Sequence, residues 1–232
     1  MSVHFEKHQI VVPGELLSEN SFRAGEGTFT ENGKIFASVI GLAEIRGNTV
    51  FVVPLEGFYF PKVGDVVLGK VVGHSPVSVK LDINSPYPGK LPIEKPRGRG
   101  MRSPVPLKLN VGDMIVGEII SFDRSRDPII TIRDEGLGKV HGGQIIRMSP
   151  AKVPRLIGRK GSMIKMIKDQ LGQRIRIGQN GLVWFSSSKP EDAKLFIQIV
   201  RLIEHESHTS GLTDRIKNMI EKERGKKNDK EK

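Results

Sequence analysis

Leu156-Ile157-Gly158-Arg159-Lys160-Gly161-Ser162-Met163-Ile164 decides how the C-terminal part of this 232-residue chain folds and what it meets. Two glycines separated by two residues let the backbone turn tightly and put no side chain between main chain and ligand. Apolar residues recur at helical spacing on both sides of the loop, at Leu156, Ile157, Ile164, Ile167 and Leu171. The spacing predicts two helical segments within 153–171, joined by the glycine loop. The start of the second helix offers unpaired N–H groups and a positive dipole end to an anion. Arg159 and Lys160 add two cations at the tip. A loop of this kind suits the clamping of single-stranded nucleic acid by its phosphates, with Ile157 and Ile164 as an apolar floor for bases.

A bare Gly-x-x-Gly recurs by chance, so the reading rests on its surroundings. A short strand is predicted at 144–148, a second at 174–177 with Ile175 and Ile177 inward, and a third at 182–186. Gly178-Gln179-Asn180-Gly181 reads as the turn between the last two. A helix follows over 189–205, with Ala193, Phe196, Ile199, Val200 and Ile203 on one face and Pro190 in its first turn, where a missing N–H costs nothing. The order is β-α-α-β-β-α. Beyond Thr213 the chain is heavily charged, with helical spacing through Met219 and Ile220 and a composition typical of disorder after Glu223.

Charge supports a polyanionic partner. Lys and Arg number 37 against 26 Asp and Glu, a formal net charge of +11. The excess is local: residues 139–176 carry +9 and 90–108 carry +5, while 1–89 carry −2 and 109–138 carry −3. Cations clustered in this way mark a nucleic-acid footprint more than a merely solvated surface.

Upstream the chain is β-rich. Stretches 34–44 and 49–55 flank Ile45-Arg46-Gly47-Asn48, a hairpin turn, and closely spaced glycines punctuate the first 60 residues. Val63-Gly64-Asp65-Val66-Val67-Leu68-Gly69-Lys70-Val71-Val72 then returns 48 residues later as Val111-Gly112-Asp113-Met114-Ile115-Val116-Gly117-Glu118-Ile119-Ile120. Each copy reads as a Gly-Asp turn into a strand whose inner glycine permits a bend. Val77, Val79, Leu81 and Ile83 alternate with polar residues, and 129–132 supplies a further strand, so about five strands form a Greek-key OB barrel. The connection 85–106, with six prolines, reads as an exposed irregular loop displaying Lys90, Lys95, Arg97, Arg99 and Arg102.

The loop and its β-α-α-β-β-α frame resemble a KH domain, and the preceding barrel resembles the S-one class of OB fold. The whole order is similar to the Rrp-four family, the KH-bearing RNA-binding cap subunit of the archaeal exosome, over roughly residues 5–210. Pro13-Gly14-Glu15, Gly25-Glu26-Gly27-Thr28 and Asp82-Ile83-Asn84 are lesser supports. The expected fold class is thus multidomain, β-rich plus α+β. A small N-terminal β domain (1–60) docks on partner subunits, and a five-stranded S-one-like barrel spans 61–138. A KH domain spans 139–210, and a charged, partly disordered tail occupies 211–232. The resemblance implies a non-catalytic subunit that forms a homotrimeric cap, with or without a second cap subunit, on an RNase-PH-like hexameric ring. It would capture single-stranded RNA, favour adenine-rich tails and feed 3′ ends to the phosphorolytic ring. Gly158, Arg159, Lys160 and Gly161 match the KH loop. Arg97, Arg99, Arg102, Arg124 and Arg126 match only in type and are candidates for lining a central passage.

Other functions find less support. With no Cys, thiolate metal sites and cysteine nucleophiles are excluded. None of the six histidines stands in a nucleophilic pattern; His205 and His208 share a helix face, but a solvated helix end accounts for them better than a metal does. Asp134-Glu135 reads as surface and not as a carboxylate pair. No catalytic residue, metal or cofactor is expected. His74, Tyr87 and Phe122 read as packing before base contact, as does Trp184, while Phe58-Tyr59-Phe60 is either a docking patch or a hinge. A barrel-plus-KH transcription or translation factor and a scaffold without RNA contact remain the alternatives; a single loop of this type favours the exosome reading. Residues 1–10 lack the apolar core of a signal peptide and no run nears the roughly 18 apolar residues of a spanning helix, so a cytoplasmic location is expected.

Overall fold

The computed structural model describes residues 2–6, 8–19, 22–93, 109–206 and 211–228. They form two compact units, 1–57 and 58–232.

The first unit holds β1 (Ser2–Val3), β2 (Ile10–Val11), β3 (Leu16–Glu19), β4 (Arg23–Ala24), β5 (Thr28–Glu31), β6 (Lys34–Ala37), β7 (Gly41–Arg46) and β8 (Thr49–Pro54). They make two four-stranded sheets in the orders β1-β3-β6-β5 and β2-β7-β8-β4. Leu17, Ile35 and Ala37 of one sheet and Val11, Ala43, Val50 and Val52 of the other share a core. The hairpin turn at Gly47-Asn48 lies where the sequence places it, but 34–44 is two strands, not one. The chain leaves the first sheet after Ala37 and joins the second at Gly41, where a Cβ would stand 2.3 Å from the Val53 carbonyl oxygen. Continuous alternation conceals such a change of sheet.

The second unit begins with the barrel: β9 (Val66–His74), β10 (Ser78–Asp82), β11 (Gly89–Pro92), β12 (Met114–Asp123) and β13 (Arg126–Thr131). The two copies of the repeat, β9 and β12, are antiparallel neighbours, from Met114 opposite Lys70 to Glu118 opposite Val66. β13 closes the ring by pairing with both β12 and β11. β14 (Gly138–Val140) continues along the free side of β12. β11 corrects the reading of 85–106 as wholly irregular. Leu91 turns inward, Gly89 packs against Ile130, and Pro92 sits at the strand end, where no ladder N–H is required. Val67, Val71, Leu81, Ile83, Ile115 and Ile119 fill the barrel.

The chain continues through β15 (Gln144–Arg147), α1 (Val153–Ile157), α2 (Ser162–Leu171), β16 (Arg174–Ile177), β17 (Leu182–Ser186), α3 (Pro190–Glu206) and α4 (Leu212–Asn228). The sheet order is β15-β17-β16, antiparallel throughout, and Leu156, Ile167, Phe185, Phe196 and Ile199 pack between sheet and helices. α4 adds the buried Leu212, Ile216 and Ile220 to the same core, so the charged tail carries a docked apolar stripe and its helix runs to Asn228. The sheet's other face meets the barrel through Leu182 and Trp184 against Leu68 and Val116. The 178–181 turn seats in that seam: Gln179 N–H donates to the Val66 carbonyl at 2.9 Å, and Asn84 Nδ2 donates to the Asn180 carbonyl at 2.9 Å.

Candidate nucleic-acid interface

α1 is only five residues long, with Pro154 in its first turn and Gly158 at its end. Gly158 adopts φ +76°, and a Cβ there would lie 2.7 Å from Met163 Cβ and 2.8 Å from Met163 N, so only glycine fits. Lys160 is left-handed at φ 51°, and Gly161 at φ 77° donates its N–H to the Gly158 carbonyl at 3.1 Å. The chain thereby doubles back and starts α2 at Ser162 without a side-chain cap and with no acidic residue in the first turn. The Ser162 N–H is taken by the Arg159 carbonyl, and no side chain caps the amides that follow it, so they are left for an anion. Arg159 and Lys160 are exposed at the tip. All four residues chosen from sequence form one loop.

Beside it lies a cleft of about 320 Å³. Ile157 and Ile164, the floor expected from sequence, line it together with Ile175 and Ile177, which the sequence places only on the inward side of their strand. Its other wall was not foreseen, because the barrel's Val66, Val116 and the 135–137 segment supply it. Glu135, read as solvated surface, lines this groove.

Of the five barrel arginines, Arg97, Arg99 and Arg102 lie outside the described residues, as does Lys95. Arg124 stands in the β12–β13 turn and Arg126 opens β13. Asp123 shapes that turn by accepting the Ser125 N–H at 3.0 Å, a bond that holds its carboxyl below the usual range. The Arg124 guanidinium lies 5.6 Å from the centre of the Phe60 ring. Phe60, Tyr87 and Phe122 form an edge-to-face trio, with centroids 5.5 Å apart for Phe60–Tyr87 and 5.1 Å for Tyr87–Phe122. Phe60 remains 42% exposed. Tyr87 and Phe122 pack as expected, but they pack into an aromatic surface with an arginine above it. The Phe58-Tyr59-Phe60 run is divided. Phe58 is exposed, whereas Tyr59 is buried in the barrel and donates its hydroxyl to Asp65 at 2.6 Å. Burial and that carboxylate both push the Tyr59 hydroxyl's pKa up. Lys90 pairs with Asp127 at 2.9 Å.

Trp184 is packing: it is buried, and its Nε1 donates to the Gly142 carbonyl at 2.8 Å. His74 is exposed at the end of β9, and His205 near the end of α3; His208 is outside the described residues. Among the described residues no three His, Asp or Glu side chains gather as a metal site would require, and no helix is long and apolar enough to cross a membrane.

Comparison with known proteins gives this arrangement a context. The model of the family described as "Exosome RNA binding protein RRP4 N-terminal domain" matches residues 8–56, and that of the KH domain matches 143–191. The exosome complex component Rrp4 of Nitrosopumilus maritimus is 40% identical over 94% of this chain and 97% of its own length. Its counterpart in Pyrococcus furiosus is 43% identical over 94% of this chain and 84% of its own. A crystal structure described, provisionally, as an exosome complex RNA-binding protein superposes with a TM-score of 0.64 at 35% identity, covering 74% of this chain and 99% of that one.

Proposed function

The chain belongs to the Rrp4 (Rrp-four) family of archaeal exosome components, and from that premise we propose how this RNA-binding, non-catalytic subunit handles its substrate. It captures single-stranded RNA at two places and passes 3′ ends to a phosphorolytic ring of RNase-PH-like subunits. One place is the KH loop, where Gly158 and Gly161 admit the backbone of the strand while Arg159, Lys160 and the uncapped α2 amides hold its phosphates. The other is the barrel, where Arg124 and Arg126, with Arg97, Arg99 and Arg102, line a central passage of a homotrimeric cap in the cytoplasm. The Phe60, Tyr87 and Phe122 rings beneath Arg124 are suited to stack a base. Adenine-rich tails are the preferred substrate.

The observation that carries this reading is the conformation of 158–161. Three residues of positive φ there expose two cations above a helix start without a side-chain cap. Two are glycines that take this backbone freely, and the strain falls on Lys160, a cation held at the tip in the left-handed region.

The test is a titration of the purified chain with labelled oligoadenylate and mixed-sequence RNA, with and without phosphate, following both mobility and 3′-end length. Binding that weakens steeply with salt, tightest for oligoadenylate and without shortening, supports the proposal. Shortening that survives rigorous repurification overturns the non-catalytic assignment. Absence of binding overturns direct capture and leaves a scaffold.

A further inference from the structure

The groove beside the KH loop does not end at β16. A second cleft, of about 440 Å³, shares Lys168, Ile175 and Arg176 with the first and reaches Val140, His141 and Trp184. Lys168 from α2 and Arg174 and Arg176 from β16 line it, and among the described residues no carboxylate does. Lys139, on its barrel side, is held by Asp113 at 2.5 Å. Burial and the nearby Arg176 hold the Lys168 ammonium below the usual lysine range, as expected where positive charge is crowded.

Gln173 completes the lining. It is only 5% exposed, yet neither its Nε2 nor its Oε1 has a hydrogen-bond partner. Buried amides are normally paired, and an unpaired one carries a desolvation penalty that a ligand can remove. Cations for a phosphate, together with a donor and acceptor on one amide, are complementary to a nucleotide: glutamine matches a base edge in the same way.

We infer that this cleft is a second RNA subsite, joined to the KH loop by the shared groove and formed jointly by the KH strand β16 and the barrel's β14 edge. It takes a nucleotide beyond the four or so held at a KH loop. Lys168, Arg174 and Arg176 hold its phosphate, and Gln173 faces its base. The inference rests on the RNA-binding reading above.

Trp184, the chain's single tryptophan, lines the cleft and reports its occupancy. The experiment compares four- and ten-nucleotide RNAs on the whole chain, following affinity, salt dependence and Trp184 fluorescence. Four proteins are used: wild type, Arg174→Ala at a residue that lines the second cleft and not the first, Gln173→Leu, and the loop control Arg159→Ala/Lys160→Ala. The ten-mer should change Trp184 fluorescence and the four-mer should not. The Arg174→Ala protein should bind the ten-mer about tenfold more weakly, with a salt slope smaller by about 0.7 for the one phosphate no longer neutralised. It should bind the four-mer unchanged. Gln173→Leu should raise the urea midpoint while weakening the ten-mer, opposite effects that a structural role does not produce. If the loop control alone loses affinity, and Trp184 and both cleft variants behave as wild type, the second subsite is overturned and the RNA-binding reading stands. If wild type binds neither RNA, the function itself fails, and the subsite with it.

Discussion

Asn180 of the KH turn grips Leu68 of the barrel with both ends of its amide, its Nδ2 donating to the Leu68 carbonyl at 2.7 Å and its Oδ1 accepting the Leu68 N–H at 3.3 Å. The remaining Nδ2 hydrogen goes to the Ile83 carbonyl at 2.7 Å. Asn180 is fully buried, so its bonds form where competing water is absent. Gly178 makes the fit possible, since a Cβ there would lie 2.2 Å from the Asn180 amide oxygen. The turn therefore fixes barrel and KH sheet to one another, and the groove between them keeps a fixed width.

Replacing Asn180 by Ala should expose how much of the second unit depends on this joint. Unpaired buried groups cost on the order of 1–3 kcal/mol each, and relaxation offsets part of that. We expect a loss of about 2–4 kcal/mol in urea unfolding, with faster proteolysis between β15 and the barrel. A loss below about 0.5 kcal/mol would show that the apolar seam of Leu68, Val116, Leu182 and Trp184 suffices alone.

Lys160 offers a cleaner separation of stability from binding. Its left-handed backbone costs a lysine about 1–2 kcal/mol, and glycine recovers part of that once its greater unfolded-state entropy is taken into account. Lys160→Gly should therefore leave stability unchanged or raise it by up to about 1 kcal/mol, while the salt slope of RNA binding falls by about 0.7. Gly158→Ala should do the reverse to the fold, destabilising it by about 1–3 kcal/mol through strain and the contact with Met163. Equal RNA binding by wild type and Lys160→Gly would remove Lys160 from the interface.

These sites differ in how far the sequence announces them. The KH loop is legible because all its parts lie within nine residues, and its glycines have a local reason to be glycine. The repeat at 63–72 and 111–120 is legible too: its aspartates close equivalent turns, although one goes on to accept Tyr59 and the other Lys139. The joint is not legible, since Gly178-Gln179-Asn180-Gly181 has the composition of a solvent turn and its partner Leu68 lies 112 residues away. Phe60 hides for the same reason. Its run looks like a docking patch until the barrel brings Tyr87 and Phe122 beside it. The second cleft needs β14 and β16 together, and no local pattern joins them.

The aromatic trio predicts a binding loss without a folding loss. Phe60→Leu keeps an apolar side chain against Tyr87 and Phe122, so stability should fall by less than about 1.5 kcal/mol. A base stacked on the exposed ring would lose about 1–3 kcal/mol, roughly a 5- to 150-fold drop in affinity. Arg124→Ala/Arg126→Ala should instead reduce the salt slope by about 1.4. Fluorescence anisotropy at several salt concentrations separates the two effects, and a Phe60→Leu protein with wild-type affinity would reduce the trio to packing.

Acid should loosen the barrel edge that walls the second cleft. The Asp113 carboxylate accepts the Asn110 N–H at 2.7 Å and the Lys139 ammonium at 2.5 Å, and these bonds, the backbone one foremost, hold its pKa below the ordinary carboxylate value. A depressed folded-state pKa means that the unfolded chain takes up its proton first as pH falls. The stabilisation is therefore complete above the unfolded value near 3.9 and is lost as pH drops through the lower folded value. Asp113→Asn keeps an oxygen for the Asn110 N–H and removes only the charge. Its urea midpoint should lie below wild type at pH 7 and at pH 5, and the two should converge as acid protonates the folded carboxylate. An offset that persists unchanged into acid would mean that the carboxylate's charge contributes nothing, and that β14 is held by its ladder to Met114, Ile115 and Val116 alone.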